Sequence, residues 1–521
     1  MKKRISYGLN DKKEIGEITY IPIRYILAVL ISVIETLAIL GVITLIYMRY
    51  RWFAVICAIA HIGCVIRIIS SDDNPDYKVP WLLCVLSLPI VGFMLYFLFY
   101  SRKLDRKFIK RIKSIQELKY EKDDTSTFEK MSAEDKRAES VAMMLTEISY
   151  SHVFDNVNQK YFPSGETMMT AMIDDLMRAE RFIFLEYFII EDGIFWSAIL
   201  DVLKFKAEEG LDVKLIYDDI GCMTTLPGNY YKTLRKHKID AIPFSILRGQ
   251  ANNEFNNRSH RKILVIDGKI AYTGGINIAD EYINQKERFG HWKDTGIRLE
   301  GDAVKEFTWL FLSHFGLNSK ELPSIKECTY PNQSYIQASG YIVPFGDGPR
   351  PIYKHNVGKS VIRNMLDASL DYVYITTPYL IIDNDTCTSI ENAAMRGVDV
   401  RIIVPHIPDK KLVFAATRSF YHRLMSAGVR IYEYTPGFIH AKTYISDDKY
   451  VMIGTINLDY RSLVHHFENG VWMYKCECIE DIKLDVVNTM EQCMEITEEM
   501  LSTGPLRRFI RSVIRLFAPL L

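Results

Sequence analysis

The sequence predicts an α/β protein of two similar lobes, made by internal duplication and preceded by two to three transmembrane helices. Three observations predict it. Long apolar runs crowd into the first hundred of 521 residues. A β-α-β order then occurs twice, and each half ends in the same histidine, lysine and aspartate pattern. The bulk numbers bound the rest. With 64 basic and 64 acidic residues, the balance argues against a chain whose whole surface is built to grip nucleic acid. The 9 cysteines show neither Cys-x-x-Cys nor zinc-ligand spacing, which predicts reduced, mostly buried thiols in a cytosolic setting.

In chain order, residues 1–23 read as a tail and 24–100 as the membrane region. Its first apolar run, 25–47, is interrupted only by Glu35. The second, 52–69, carries His61 and Arg67, and the third, 81–100, has no charge. Each approaches the ~20 residues a helix needs to cross a bilayer. A run that long, with others behind it, is not a cleaved signal peptide. The basic cluster Arg102, Lys103, Arg106, Lys107, Lys110, Arg111 and Lys113, set against the acidic loop with Asp72, Asp73 and Asp76, predicts a multi-pass cell-membrane protein with a cytoplasmic catalytic part. Lys2, Lys3 and Arg4 in the tail oppose that bias.

Residues 101–139 read as a basic, then polar, linker, 140–330 as the first lobe and 331–500 as the second. In the first lobe, 172–179 and 198–209 have helical spacing, and 181–190 and 212–217 read as buried strands. The second repeats this with helices at 361–368 and 388–395 and strands at 372–381 and 399–404. Gly210 and Gly397 end the corresponding helices. Residues 501–521 form a basic amphipathic segment with Arg508, Arg511 and Arg515 on one helical face. That fits either an interfacial helix on anionic lipid or an ordinary surface helix.

The chemistry sits in the repeated motif. His260, Lys262 and Asp267 recur as His440, Lys442 and Asp447, and an asparagine, Asn277 or Asn457, follows each histidine by 17 residues. Side chains two apart on a strand share a face, so each histidine and lysine can address one ligand. Asp267-Gly268 is a hairpin turn that brings Asn277 back towards His260. The set suits phosphoryl transfer without a metal. Lysines neutralise the anion, asparagines donate hydrogen bonds, one imidazole attacks phosphorus and the other protonates the leaving alcohol. A single His-x-Lys is an ordinary solvated strand face; two matched copies are not.

The doubled motif resembles the phospholipase D superfamily, and within it the bacterial cardiolipin synthases. Asn74-Pro75, Lys78-Val79-Pro80-Trp81, Glu186-Tyr187-Phe188-Ile189, Trp292-Lys293-Asp294-Thr295 and Asn457-Leu458-Asp459-Tyr460-Arg461-Ser462 carry the likeness. The resemblance implies two phospholipase D-type lobes and transfer of a phosphatidyl group between two phosphatidylglycerol molecules. Cardiolipin and glycerol would form through a phosphohistidine, with no cofactor and no metal, and with anionic lipids rather than nucleic acid as partners. It implies His260 as nucleophile and His440 as acid and base, although the residues alone do not choose between them. It also implies supporting roles for Glu468 and Asp294, while Asp267 and Asp447, placed with the catalytic set, are better suited to holding the hairpins. Two departures are Thr455 where serine is common and His466 where asparagine is expected. His291, His314, His406, His422 and His465 are expected to be structural. Water or another alcohol as acceptor, a tethered nuclease and a catalytically dead lipid-binding module are the competing readings. Oligomeric state is not readable.

Overall fold

The computed structural model describes residues 51–97, 106–119, 125–244, 257–317, 326–329, 337–501 and 504–520, with scattered positions from 34 to 50. Each lobe is built on one mixed sheet. In the first, the strand order is Asn158–Phe162, Gly296–Glu300, Ile270–Gly274, Lys262–Ile266, Phe182–Tyr187, Asp212–Asp218 and Asp240–Phe244. In the second it is Cys493–Glu495, Arg430–Tyr434, Asp399–Pro405, Tyr372–Thr376, Thr443–Ser446, Tyr450–Gly454, Glu468–Tyr474 and Tyr341–Asp347. Three parallel strands lie on one side of each sheet and the motif hairpin runs antiparallel on the other. The expected duplication into two α/β lobes is therefore the observed architecture.

The expected helices are present but begin earlier, at Gly165–Met177, Ile194–Glu208, Val357–Ala368 and Asn384–Met395. Two of them have capped first turns. Ser164 accepts from the Thr167 amide, and Asp383 accepts from the Thr386 amide. Gly210 and Gly397, at φ +96° and +92°, close the equivalent helices in the left-handed conformation that a side chain would strain.

The hairpin turns are tight in both copies. Asp267 and Gly268 take φ +55° and +67°, and Asp447 and Asp448 take +52° and +54°, as the right-handed twist of a two-residue hairpin demands. Both turn aspartates point away from the chemistry. Asp267 accepts hydrogen bonds from the amides of Glu180, Arg181 and Phe182 at 2.9, 2.7 and 2.9 Å. Asp447 does the same for Leu370, Asp371 and Tyr372 at 2.8, 3.0 and 2.9 Å. Each clips its hairpin to the start of the central strand, a contact suited to a hairpin-holding role. Asp267→Ala is expected to cost about 2–4 kcal/mol of stability, and the more exposed Asp447→Ala less. Activity per folded molecule should stay near wild type; a normal urea midpoint with lost turnover would reverse the assignment.

The described part of the expected linker is largely helical. Arg106–Gln116, Thr125–Glu134 and Lys136–Ser149 are helices, and Ile112, Ile115 and Met131 join the main core. Charged residues of this segment serve as lobe contacts, as in the Lys119–Glu306 pair at 2.6 Å.

Among the described residues no helix is long and apolar enough to cross a membrane. The expected tail, most of the span at 25–47 and the basic residues Arg102 and Lys103 lie outside those residues. The second expected span is helix α1, Arg51–Ile69. The third is interrupted. Helix α2, Pro75–Ser87, stops at Leu88, and helix α3, Pro89–Leu95, starts anew, because Pro89 has no amide to donate and pushes Leu88 out of helical geometry. The two then fold together, and a Cβ on Gly92 would lie 2.1 Å from the Cys84 carbonyl oxygen. This hairpin docks on the second lobe. Asn74 donates to Asp383 at 2.8 Å, Asp76 accepts from the Asn384 amide at 2.6 Å and from the Tyr460 hydroxyl at 3.3 Å, and the Tyr77 ring meets His465 at 5.9 Å.

Candidate active site

Where the lobes meet, each contributes a short segment to the other. Gly437–Ile439 pairs in parallel with His291–Lys293, and the His440 amide donates to the Lys293 carbonyl at 2.7 Å. The counterpart is the bridge between Ser259 and Phe467, with the His260 amide donating to the Phe467 carbonyl at 2.9 Å. In both cases the next residue along the opposing segment is a carboxylate. The pairing therefore delivers a carboxylate from one lobe to the histidine of the other.

The contacts follow that crossing. His260 Nδ1 lies 2.9 and 3.0 Å from the two Glu468 oxygens, and His440 Nδ1 lies 2.7 Å from Asp294 Oδ2. A carboxylate at Nδ1 keeps the proton there and leaves Nε2 as the reactive nitrogen. Asp294 reaches its place past Gly275, where a Cβ would stand 2.0 Å from Asp294 Oδ1. Thr455, at the equivalent position, donates its hydroxyl to Glu468 and accepts from the Asn469 amide at 3.0 Å. The threonine departure thus preserves the hydroxyl contact.

Lys262 and Lys442 are both buried on the motif strands. Lys262 Nζ donates to the His260 carbonyl at 2.9 Å, and Lys442 Nζ contacts the His440 carbonyl and lies 3.0 Å from His440 Nε2. Burial lowers Lys262 to about 7, reinforced by the facing charge of Lys442, and lowers Lys442 itself to about 8. Burial also drives His260 down to about 3 and His440 well below its ordinary value. Asp294 is raised to about 6 by burial against the pull of Lys442, while Glu468 is held low, burial being outweighed by His260 and its hydrogen bonds. Phe188 stands edge-on to His260 at 5.1 Å and Tyr282 edge-on to His440 at 5.4 Å, so aromatic walls thin the water on both sides.

The two asparagines differ. Asn277 Oδ1 accepts from the Ile189 amide at 3.1 Å and its Nδ2 donates to Tyr282 at 2.7 Å, which leaves it one amide hydrogen for a ligand. Asn457 Oδ1 is buried with no partner among the described residues. His466 enters the site unforeseen as a group near the chemistry, its ring 5.6 Å from His260 and its Nδ1 3.7 Å from Glu468. His260, His466 and Glu468 bring one donor atom each within 4.8 Å of one another, close enough for a metal ion.

Residues further out hold the frame. Arg258 donates to Asp218 at 2.7 and 3.0 Å, and Glu186 accepts from Ser259 at 2.5 Å and contacts His314 Nδ1 at 2.6 Å. Sequence spacing gave no sign of these pairings, since the partners are far apart in the chain. Of the histidines expected to be structural, His314 pairs with Glu186, His291 with Tyr434 at 2.9 Å and His406 with Glu433 at 2.8 Å. His465 packs on Tyr77, and His422 lies exposed, 3.5 Å from Glu498.

Comparison with known proteins shows the family. The family described as "Cardiolipin synthase, PLD-like domain" matches residues 172–296 and again 362–488, and "Phospholipase_D-nuclease N-terminal" matches 59–99. A cardiolipin synthase of Alkalihalophilus pseudofirmus is 32% identical over 468 residues, 88% of this chain and 91% of that one. One of Halalkalibacterium halodurans is 30% identical over 474 residues, 90% and 94% of the two chains. An uncharacterized Streptococcus mutans protein is 42% identical over 465 residues, 88% of this chain and all of that one. The solved phosphatidylserine synthase of Haemophilus influenzae shares the fold at a TM-score of 0.55 and 16% identity, covering 74% of this chain and 100% of its own. With both motif copies inside the matched segments and the likeness running through nearly the whole length of these relatives, the chain belongs to the phospholipase D-like cardiolipin synthase family.

Proposed function

We propose that the protein is a phosphatidyltransferase that joins two phosphatidylglycerol molecules into cardiolipin and releases glycerol. The crossed imidazole–carboxylate pairs flanking two buried lysines support this reading most directly. His260 Nε2 attacks phosphorus, a P–N bond forms, and the P–O bond to glycerol breaks as His440 gives its proton to the leaving oxygen. The hydroxyl of a second phosphatidylglycerol then returns a proton to His440 while its oxygen attacks phosphorus and the P–N bond breaks. Lys262, Lys442 and Asn457 hold the phosphoryl oxygens. A bound phosphate monoanion supplies the charge that lets one buried imidazole keep a proton.

The lipid substrates place the protein at the cell membrane. We read residues 24–100 as its multi-pass anchor, with the lobes on the cytoplasmic side where the basic residues from Arg106 onwards lie. The test is to incubate detergent-solubilised protein with phosphatidylglycerol and chelator and to resolve the lipids by mass spectrometry. Equal amounts of cardiolipin and glycerol are expected. Phosphatidic acid would make water the acceptor, and no lipid product would sink the assignment.

The shifted groups also set the pH profile. Asp294 must be ionised to steady an imidazolium, which holds above about 6. Lys262 and Lys442 must be protonated to attract the anion, which holds below about 7 and 8. Values of kcat/KM should therefore peak between these limits and fall on both sides. Lys262→Arg should move the alkaline limit from about 7 to about 8, where Lys442 takes over, since guanidinium does not titrate there. A wild-type profile flat up to about pH 9 would contradict the lysine role.

A further inference from the structure

The C-terminal helix Pro505–Phe517 carries its apolar stripe away from the protein. Leu506, Phe509, Ile510, Val513 and Leu516 recur at helical spacing and are 71, 65, 47, 38 and 37% exposed. In a helix docked only for folding, that stripe would be the buried one. Instead the contact with helix Lys411–Ser426 runs along an edge, where Ile514 packs against the core. Arg508 and Arg515 lie exposed on the opposite face, and Arg511 beside them donates to the Leu501 carbonyl at 3.4 Å.

The chain beyond the helix fixes its surroundings. Ala518–Leu520 touches helix α2, and Leu520 packs on the cluster of Tyr77, Trp81, Val85 and Tyr96. The C-terminal helix is thus tied to the apolar N-terminal helices. Helix α1 there exposes Trp52, Ile59, Ile62 and Ile66, all more than half accessible. Charge selects the occupant of these surfaces. Residues 504–521 hold four arginines and no acidic residue, so a second copy of the same helix would set like charges together, whereas anionic headgroups neutralise them.

We propose that the helix Pro505–Phe517 lies in the interface of an anionic bilayer, its apolar stripe at the acyl boundary and its arginines on lipid phosphates. It is a second membrane contact beside the N-terminal helices, and it holds the second lobe at a fixed attitude to the surface.

Full-length Phe509→Trp protein, reconstituted into vesicles with or without phosphatidylglycerol, tests this without relying on turnover. Relative to wild type, the added indole should emit at shorter wavelength and be quenched by lipids brominated on the acyl chains, more strongly when phosphatidylglycerol is present. Water-like emission untouched by brominated lipid overturns the proposal. So does a blue shift that depends on protein concentration in detergent alone, which would mean self-association. Equal quenching in neutral vesicles overturns the anionic-headgroup assignment. Val513→Glu should in addition reduce turnover of vesicle-borne lipid by about tenfold while sparing turnover in mixed micelles; equal loss in both overturns the interfacial role.

Discussion

Alanine at either motif histidine is expected to reduce cardiolipin formation by at least about 10³-fold, and the double variant to be little worse than either single one. The reason is the division of labour. His260 and His440 each hold Nδ1 on a carboxylate, and in the proposed transfer each acts through Nε2, so removing either stops one half of it. The roles separate on an activated aryl phosphodiester, whose leaving group needs no proton. There His440→Ala should still form the covalent phosphohistidine and release a burst of phenolate, and His260→Ala should not. The reverse pattern would exchange the two roles. Substantial cardiolipin synthesis by both variants would remove the site from the reaction altogether.

The second large effect is expected at the crossed carboxylates. Glu468→Gln and Asp294→Asn should lower kcat by about 10²–10⁴ with smaller changes in KM. An amide can offer N–H to Nδ1, which reverses the tautomer and takes the lone pair from Nε2, and it cannot balance an imidazolium in a buried site. Glu468 also accepts from Thr455, so its replacement disturbs a second contact. Melting temperature should be measured alongside. A fall in kcat of only a few-fold, with a matching loss of stability, would make the carboxylates structural props.

Much of this protein can be read along the chain because its information is local and doubled. The helix-ending glycines Gly210 and Gly397 mark the same point in each lobe, and the turn aspartates mark each hairpin. The membrane segments are less legible. An uncharged run at 81–100 has the composition of a span, yet Pro89 divides it into two helices that pack on each other, because backbone geometry overrides hydropathy at a proline. The pairing of the polar stretch before the first lobe is also not local, since its charges find partners such as Glu306 across the fold.

The sequence by itself determined the two lobes, the motif histidines and lysines, and the likeness that implied a role for Glu468 and Asp294. It could not say which carboxylate serves which histidine. Only the tertiary structure decided that Glu468 holds His260 and Asp294 holds His440. The same holds for the unequal engagement of Asn277 and Asn457 and for the approach of His466 to the site. The physical reason is range. Strand alternation, turns and caps are fixed by neighbours a few residues apart, whereas a hydrogen bond between lobes joins residues separated by 146 or 208 positions and exists only once both sheets have formed and met.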